Sequence, residues 1–375
     1  MSIKEKEYIE QKYSPLLEKF KNIDLEGFLK ELEDLRKEIN SKLGEEDLKH
    51  LFKIERWGHI LNTLGVLTAG IAPNLFSILT LSMGRSTRWL LMHHIGHGGY
   101  DRVPNVPKRY TSRHFAMRWR RFIDWPDWMT PESWNYEHNI LHHSHTGERA
   151  DPDLLERNSE IIRKMKLPIA IKYLIMLFLG TNWKYTYYAP SNLYFYKNRL
   201  EKNKREEGIE WKDIIIDVFM ESYIPYIIYQ FVIFPALYLP VGPWAVFSAF
   251  CNTIVAEALA NFHGFFVIAP NHTAEDIYRF DSKPINKAER ILRQIIGSVN
   301  YKTGNDLLDY IQFWLNYQIE HHIWPDLPML KYQQYQPKVK ALCQKYNIPY
   351  LEEDVFTRFK KMLDITVGKT SMKRI

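Results

Sequence analysis

Cysteine is nearly absent. The 375 residues hold two, Cys251 and Cys343, with no CxxC pair. A disulfide framework is thereby excluded, and a reducing compartment is expected for the soluble parts. Also missing is any apolar run at the N-terminus, which is charged from Lys4 onward, so no cleavable signal peptide is expected. A concentrated basic face is lacking too. The net charge of +6 is spread along the chain, which argues against nucleic acid as a partner. No internal repeat and no low-complexity segment is present.

Charge itself is missing from parts of the chain. Mean hydropathy is −0.35, a value that suits a soluble protein, but it averages charged termini with uncharged stretches. Trp57 to Gly84 contains no Asp, Glu, Lys or Arg. A membrane helix needs about 20 mostly apolar residues. Pro73 and Asn74 divide the region, and apolar character continues past Arg85 and Arg88, so a hairpin of two spans, about 55–72 and 74–93, is expected. It requires both arginines to snorkel toward water. A second apolar region, broken by "PVGPW", predicts spans at about 223–239 and 244–267. Glu257 falls inside the last of these, where an acid is costly and tends to be functional. Pairing with a polar neighbour such as Asn252 is the plainer alternative.

Basic residues crowd the connection between the hairpins, in "RHFAMRWRR" and "RLEKNKRE", so that connection and both termini are assigned to the cytoplasm. Residues 1–53 form an amphipathic helical arm lying on the membrane or on the protein body. Phe28, Leu32, Leu35 and Ile39 share one face, Asp24 is the candidate cap and Gly44 the candidate end. Residues 54–345 form the membrane domain and 346–375 a C-terminal tail. The fold class is all-α: an integral membrane protein of four transmembrane helices under a helical cap. The stretch 167–183, apolar apart from Lys172, is ambiguous on hydropathy alone.

Histidine, by contrast, is concentrated. Four of the 14 fall in "YEHNILHHSHTG", Tyr136 to Gly147. Three clusters are spaced as metal ligands: His93 and His97, then His138 with His142 and His143, then Gln318 with His321 and His322. Residues three or four apart share a helix face with Cβ atoms about 5–6 Å apart, and imidazole suits iron, zinc, copper and nickel. A lone histidine is ordinarily a hydrogen-bonded core or surface residue, and His50, His59 and His114 are read so. Three clusters close to spans point instead to a metal centre.

The pattern HX3H, HNX2HH, QX2HH resembles the membrane fatty acid desaturase family. "QIEHHIWPDLP" is similar to the third box of its front-end and sphingolipid branches, and "DPDL" at Asp151–Leu154 sits where that family often has it. The resemblance covers roughly residues 57–345. It implies O2-dependent desaturation of a fatty acyl chain at a cytoplasm-facing di-iron site above a four-helix stem. Two Fe ions are the implied cofactors and O2 the co-substrate. His93, His97, His138, His142, His143, His321 and His322 are the implied ligands, and Gln318 holds a place often taken by histidine. An extra ligand is implied between the last span and the third box: His263 is the choice and His272 the reserve. His145 is a lesser candidate, and His94 stands where the family commonly has an acid. Glu137, Glu320, Asp151 and Asp153 are candidate acceptors for the second nitrogens of the ligands.

Two departures from the family pattern stand out. The second box carries one extra residue between its first histidine and the pair. The His-Pro-Gly-Gly haem motif of a fused cytochrome b5 does not occur. A separate electron donor, of cytochrome b5 or ferredoxin type, is therefore expected. The implied substrate is a membrane lipid or acyl-CoA, and the location is a bacterial inner membrane or the endoplasmic reticulum. All three boxes must share one side of the membrane, so 167–183 is assigned to the interface. The rival readings are a lipid or alkyl-chain hydroxylase on the same scaffold and, from another class, a membrane zinc hydrolase or metal transporter. The aromatic content, with 11 Trp and 23 Tyr, fits either interfacial belts or an acyl tunnel.

Overall fold

The computed structural model describes residues 14–202 and 209–375. Helices dominate, and the only named strands among the described residues are the short parallel pair Tyr278–Arg279 and Lys373–Arg374.

Four long helices form the stem. The first hairpin joins Glu45–Ala69 to Leu75–Gly96. Glycines let the two helices approach closely. A Cβ on Gly58 would collide with the Thr87 side chain, and one on Gly65 would meet Leu81 at 2.8 Å. Asn74 caps the second helix by accepting from Ser77 N at 2.8 Å. The turn is tied to the last stem helix, because Asn252 accepts from Asn74 N at 2.8 Å and donates to the Ala69 and Ala72 carbonyls at 2.9 Å.

The second hairpin joins Trp211–Val241 to Pro243–Ile268. Gly242, at φ +123°, makes the turn in a conformation that L side chains rarely adopt. Trp211–Val241 alternates α and π segments, and the π stretches Val218–Tyr223 and Ile228–Ile233 come shortly before Pro225 and Pro235. Proline removes the backbone donor that a regular helix needs, and a local change of register accommodates the loss. These two helices are long and apolar enough to cross a bilayer. The helices of the first hairpin have 25 and 22 residues but are not apolar enough to pass the same test.

Several expectations need correcting. Arg85 does not snorkel. It is nearly buried and pairs with Glu257 at 3.2 Å across the two hairpins. Glu257 also accepts from Trp128 Nε1 at 2.7 Å and Tyr226 OH at 2.6 Å, so it does not pair with Asn252. Gly44 does not end the 25–41 helix, which stops at Ser41. It stands at the N-cap of the next one, Glu45–Ala69, which runs through the expected boundary at residue 53. Asp24 caps Leu25–Ser41 as expected, accepting from Gly27 N at 2.9 Å. Phe28, Leu32 and Ile39 are buried. That helix lies on the protein body, where Arg36 pairs with Asp326 at 2.9 Å.

The 167–183 stretch contains a 12-residue helix, Ile169–Gly180. At 1.5 Å per residue it reaches about 18 Å, well short of a hydrocarbon core of about 30 Å. Lys172 is buried and donates to the Arg163 carbonyl at 2.8 Å. The C-terminal residues are no free tail. The helix Val355–Thr366 is anchored by Arg358, which donates to both Asp276 oxygens at 2.7 and 2.8 Å, and it packs beside Ile169–Gly180.

Candidate metal centre

The three boxes arrive from different elements. His93 lies in the last turn of Leu75–Gly96, and His97 caps that helix, with its ring 4.9 Å from that of His93. His138 and His142 lie in a π-helix, Asn135–His142. Its closing bond runs from His143 N to the His138 carbonyl, an i→i+5 link. The extra residue of the second box is absorbed by that wider turn. The His138 ring stays 5.2 Å from His142 and 5.0 Å from His143. The third box forms the short buried helix Gln318–Ile323.

The side chains converge in two groups. Nitrogens of His93, His97, His138 and His321 lie within 4.8 Å of one another, and so do nitrogens of His142, His272 and His322. His93 Nε2 and His321 Nε2 face each other at 3.0 Å. His143 stands between the groups. Its ring is 4.4 Å from His97 and stacks on His322 at 4.3 Å. Gln318 Nε2 is 2.8 Å from His272 Nε2. Asp153 contributes an oxygen within 4.8 Å of nitrogens of His138 and His142.

His263 is not among them. Its Nε2 bonds the Ile311 carbonyl at 2.7 Å and its Nδ1 is 3.4 Å from Ser86 Oγ. The reserve, His272, lies in the second group instead. The last stem helix ends at Ile268, and a 3-10 turn over Ala269–His272 brings the ring to 4.3 Å from His322 and 5.0 Å from His142. His94 is buried and bonds the Phe313 carbonyl through Nε2, while His145 pairs with Glu148 at 3.0 Å. His50, His59 and His114 lie near Asp306, Glu55 and Thr111, consistent with structural roles.

The hydrogen bonds orient the rings. Nδ1 of His142 meets Asp151 at 2.9 Å, that of His322 meets Gln294 Oε1 at 2.8 Å, and that of His272 meets the Gly297 carbonyl at 2.9 Å. His321 Nδ1 is 3.3 Å from Tyr332 OH, whose own proton goes to the Trp324 carbonyl. In each case the acceptor holds a proton on Nδ1 and leaves the lone pair on Nε2, which for His272 faces Gln318 Nε2 and for His321 faces His93 Nε2. Of the other predicted acceptors, Asp153 stands 4.0 and 3.9 Å from Nδ1 of His138 and His142. Glu320 instead accepts from Tyr350 at 2.6 Å and Asn300 at 2.8 Å. Among the described residues, Glu137 bonds none of these histidines. Gln294 and Tyr332 lie outside the boxes, and nothing in their spacing announces them.

The donor set fits transition-metal ions. Buried nitrogens with no hydrogen-bond partner include Nε2 of His97 and His322 and both nitrogens of His138 and His143. Such atoms are costly unless something binds them. Burial and the neighbouring imidazoles hold His97, His143, His321 and His322 well below the usual histidine range, as neutral imidazoles. His142 differs. Burial opposes its charge, but the Asp151 carboxylate prevails and raises it.

A cavity of about 190 Å³ opens onto His93, His138, His142 and His272. Its lining is mostly apolar and includes Ile162, Met176, Leu179, Trp183, Phe265 and Ile268. The clustered histidines thus border an apolar cavity.

The sequence profile of the fatty acid desaturase family matches residues 69–353. The chain belongs to that family. This desaturase is an oxidoreductase that acts on fatty acyl chains. It is 23% identical over 352 residues to an NADPH-dependent stearoyl-CoA 9-desaturase of Mycobacterium tuberculosis, covering 90% of this chain and 78% of that one. It is 27% identical over 284 residues to Delta(5) fatty acid desaturase A of Dictyostelium discoideum, covering 71% and 56%. A Delta(8)-fatty-acid desaturase of Euglena gracilis is 44% identical over 57 residues, which is 15% of this chain and 13% of that one.

Proposed function

We propose that this desaturase introduces a carbon–carbon double bond into the acyl chain of a membrane lipid or acyl-CoA, using O2 and two iron ions. The convergence of three histidine boxes beside an apolar cavity carries this reading. His93, His97, His138 and His321 would hold one iron and His142, His272 and His322 the other, with His143 and Gln318 beside them. Breaking an unactivated C–H bond lies beyond acid–base side chains, and the irons supply O2 activation.

The chain's own residues do the rest. Asp151, Gln294 and the Gly297 carbonyl keep Nε2 of the second group turned inward. The apolar wall takes the acyl chain, keeps water from it and fixes which carbons reach the histidines. In the overall balance the substrate gives up two hydrogens, a separate donor of cytochrome b5 or ferredoxin type gives two electrons, two protons enter, and O2 leaves as two waters.

The architecture proposed is four spans in two hairpins, with the boxes on the cytoplasmic side of a bacterial inner membrane or the endoplasmic reticulum. The described part of the arm, residues 14–53, the membrane domain and the C-terminal segment pack against one another. The full pairing of Glu257 speaks against a transporter, which needs polar ligands free within its spans. The topology is tested with single substitutions Ser144→Cys, Lys302→Cys and Val241→Cys, in a chain also carrying Cys251→Ala and Cys343→Ala. The first two are expected to react with an impermeant reagent from the same side, and the third from the other. Labelling at 144 and 302 from opposite sides would overturn the topology.

Desaturase and hydroxylase are separated by product mass. After expression in a host and lipid analysis by mass spectrometry, the modified acyl chain is expected to be about two mass units lighter, the two hydrogens of the balance above. A gain of one oxygen instead would make the enzyme a hydroxylase.

A further inference from the structure

The segment Arg293–Asn300 belongs to none of the histidine boxes, yet it holds two of the three rings of the second metal position, His272 and His322. Gln294 is buried. Its Oε1 accepts from His322 Nδ1 at 2.8 Å and its Nε2 donates to the His143 carbonyl at 3.2 Å, so one side chain joins the second box to the third. Three residues on, the Gly297 carbonyl accepts from His272 Nδ1 at 2.9 Å. Val299 N donates to the Asn271 carbonyl at 3.0 Å, which fixes the turn carrying His272. Asn300 accepts from Ile319 N at 2.8 Å and donates to Glu320 at 2.8 Å, which fixes the third box. No residue of the segment bonds His93, His97 or His138, whose ring neighbours include Trp134, one another and the second box.

The segment is itself firmly held. Asn286 caps the helix Lys287–Ile296 by accepting from Glu289 N at 2.9 Å. Arg293 is buried against Glu289 and Glu148, and Glu148 in turn holds His145. A rigid support is what a positioning residue requires.

We infer that Gln294 is a positioning residue for one of the two metal positions, the one built from His142, His272 and His322. This rests on the di-iron reading above. By holding the His322 proton on Nδ1, the Gln294 amide oxygen leaves Nε2 free, and that nitrogen is buried without another partner. An apolar side chain of similar length removes the shorter of two contacts on His322 Nδ1 and leaves Thr146 Oγ1 at 3.1 Å, whose own proton goes to the His142 carbonyl. The His322 ring is then held less firmly, while the first group of four histidines keeps its own supports.

The test compares wild type, Gln294→Met and Gln294→Glu as full-length proteins in detergent. Folding is checked by circular dichroism and size-exclusion chromatography. Iron per chain is measured by elemental mass spectrometry, and the iron environments by Mössbauer spectroscopy of protein loaded with isotopically enriched iron. Wild type is expected to hold two irons per chain. Gln294→Met is expected to lose about 10–100-fold in affinity at one position and to retain one iron with one spectral component. Gln294→Glu keeps an acceptor, as Asp151 does for His142, and is expected to restore the second iron. Should Gln294→Met not fold, Gln294→Ala carries the same expectation.

Two irons and an unchanged spectrum in a folded Gln294→Met or Gln294→Ala protein would overturn the inference. So would loss of both irons in these variants, or equal loss in Gln294→Glu. Wild type purified active without iron would instead remove the di-iron reading itself.

Discussion

Replacing His142 or His322 by alanine is expected to abolish the unsaturated product, measured as the ratio of desaturated to saturated acyl chains in the lipids of the expressing host. Each ring belongs to the group that includes His272. His142 is turned inward by Asp151, and His322 by Gln294 with Thr146 beside it. Removing either leaves that group one imidazole short. His263→Ala is the informative control. Its nitrogens are engaged by the Ile311 carbonyl and Ser86, away from both groups, so activity is expected to survive. A fully active His322→Ala enzyme would refute the assignment of the site.

The second large effect concerns stability. Arg85 and Glu257 lie in different hairpins, are both nearly buried and meet at 3.2 Å. Losing one partner of a buried pair strands the other charge and costs about 3–5 kcal/mol. Glu257→Ala also strips Trp128 and Tyr226 of their acceptor, so it is expected to lower the thermal midpoint in detergent more than Glu257→Gln does. The double variant Arg85→Met, Glu257→Gln carries no stranded charge and is expected to recover much of the loss. A midpoint unchanged in Glu257→Ala would show that the pair contributes nothing.

The legible parts of this molecule are those written in local spacing. Histidines three and four apart mark the boxes because the helix turn brings such residues together without help from the rest of the chain. Lys172 blurs the reading of 167–183, yet the need for all boxes on one side already argues against a crossing. The helix there is only 12 residues long, and the lysine bonds backbone carbonyls rather than reaching for water. The extra residue in the second box is visible as a departure. Its cause, a π turn, is a backbone choice that spacing alone does not announce.

What stays hidden in the sequence depends on pairing across elements. Arg85 and Glu257 each fall in a span expected from the sequence, but which face of one helix meets which face of another is decided by contacts between distant segments, such as Asn252 on the turn of the first hairpin. The choice between His263 and His272 turns on where the last helix stops. Pro270 is the available signal, since helices usually end at or before the residue preceding a proline. The C-terminal helix is unreadable locally because its burial comes from Phe262, Phe265 and Phe266, far earlier in the chain.

The spread of the cage along the chain also sets an order of assembly. Its rings come from positions 93 to 322, and each of the two groups draws a member from the third box. A fragment that stops short of the third box completes neither group, so all four stem helices are made before either can close. On the di-iron reading proposed above, metal would be bound only after the third box has been made.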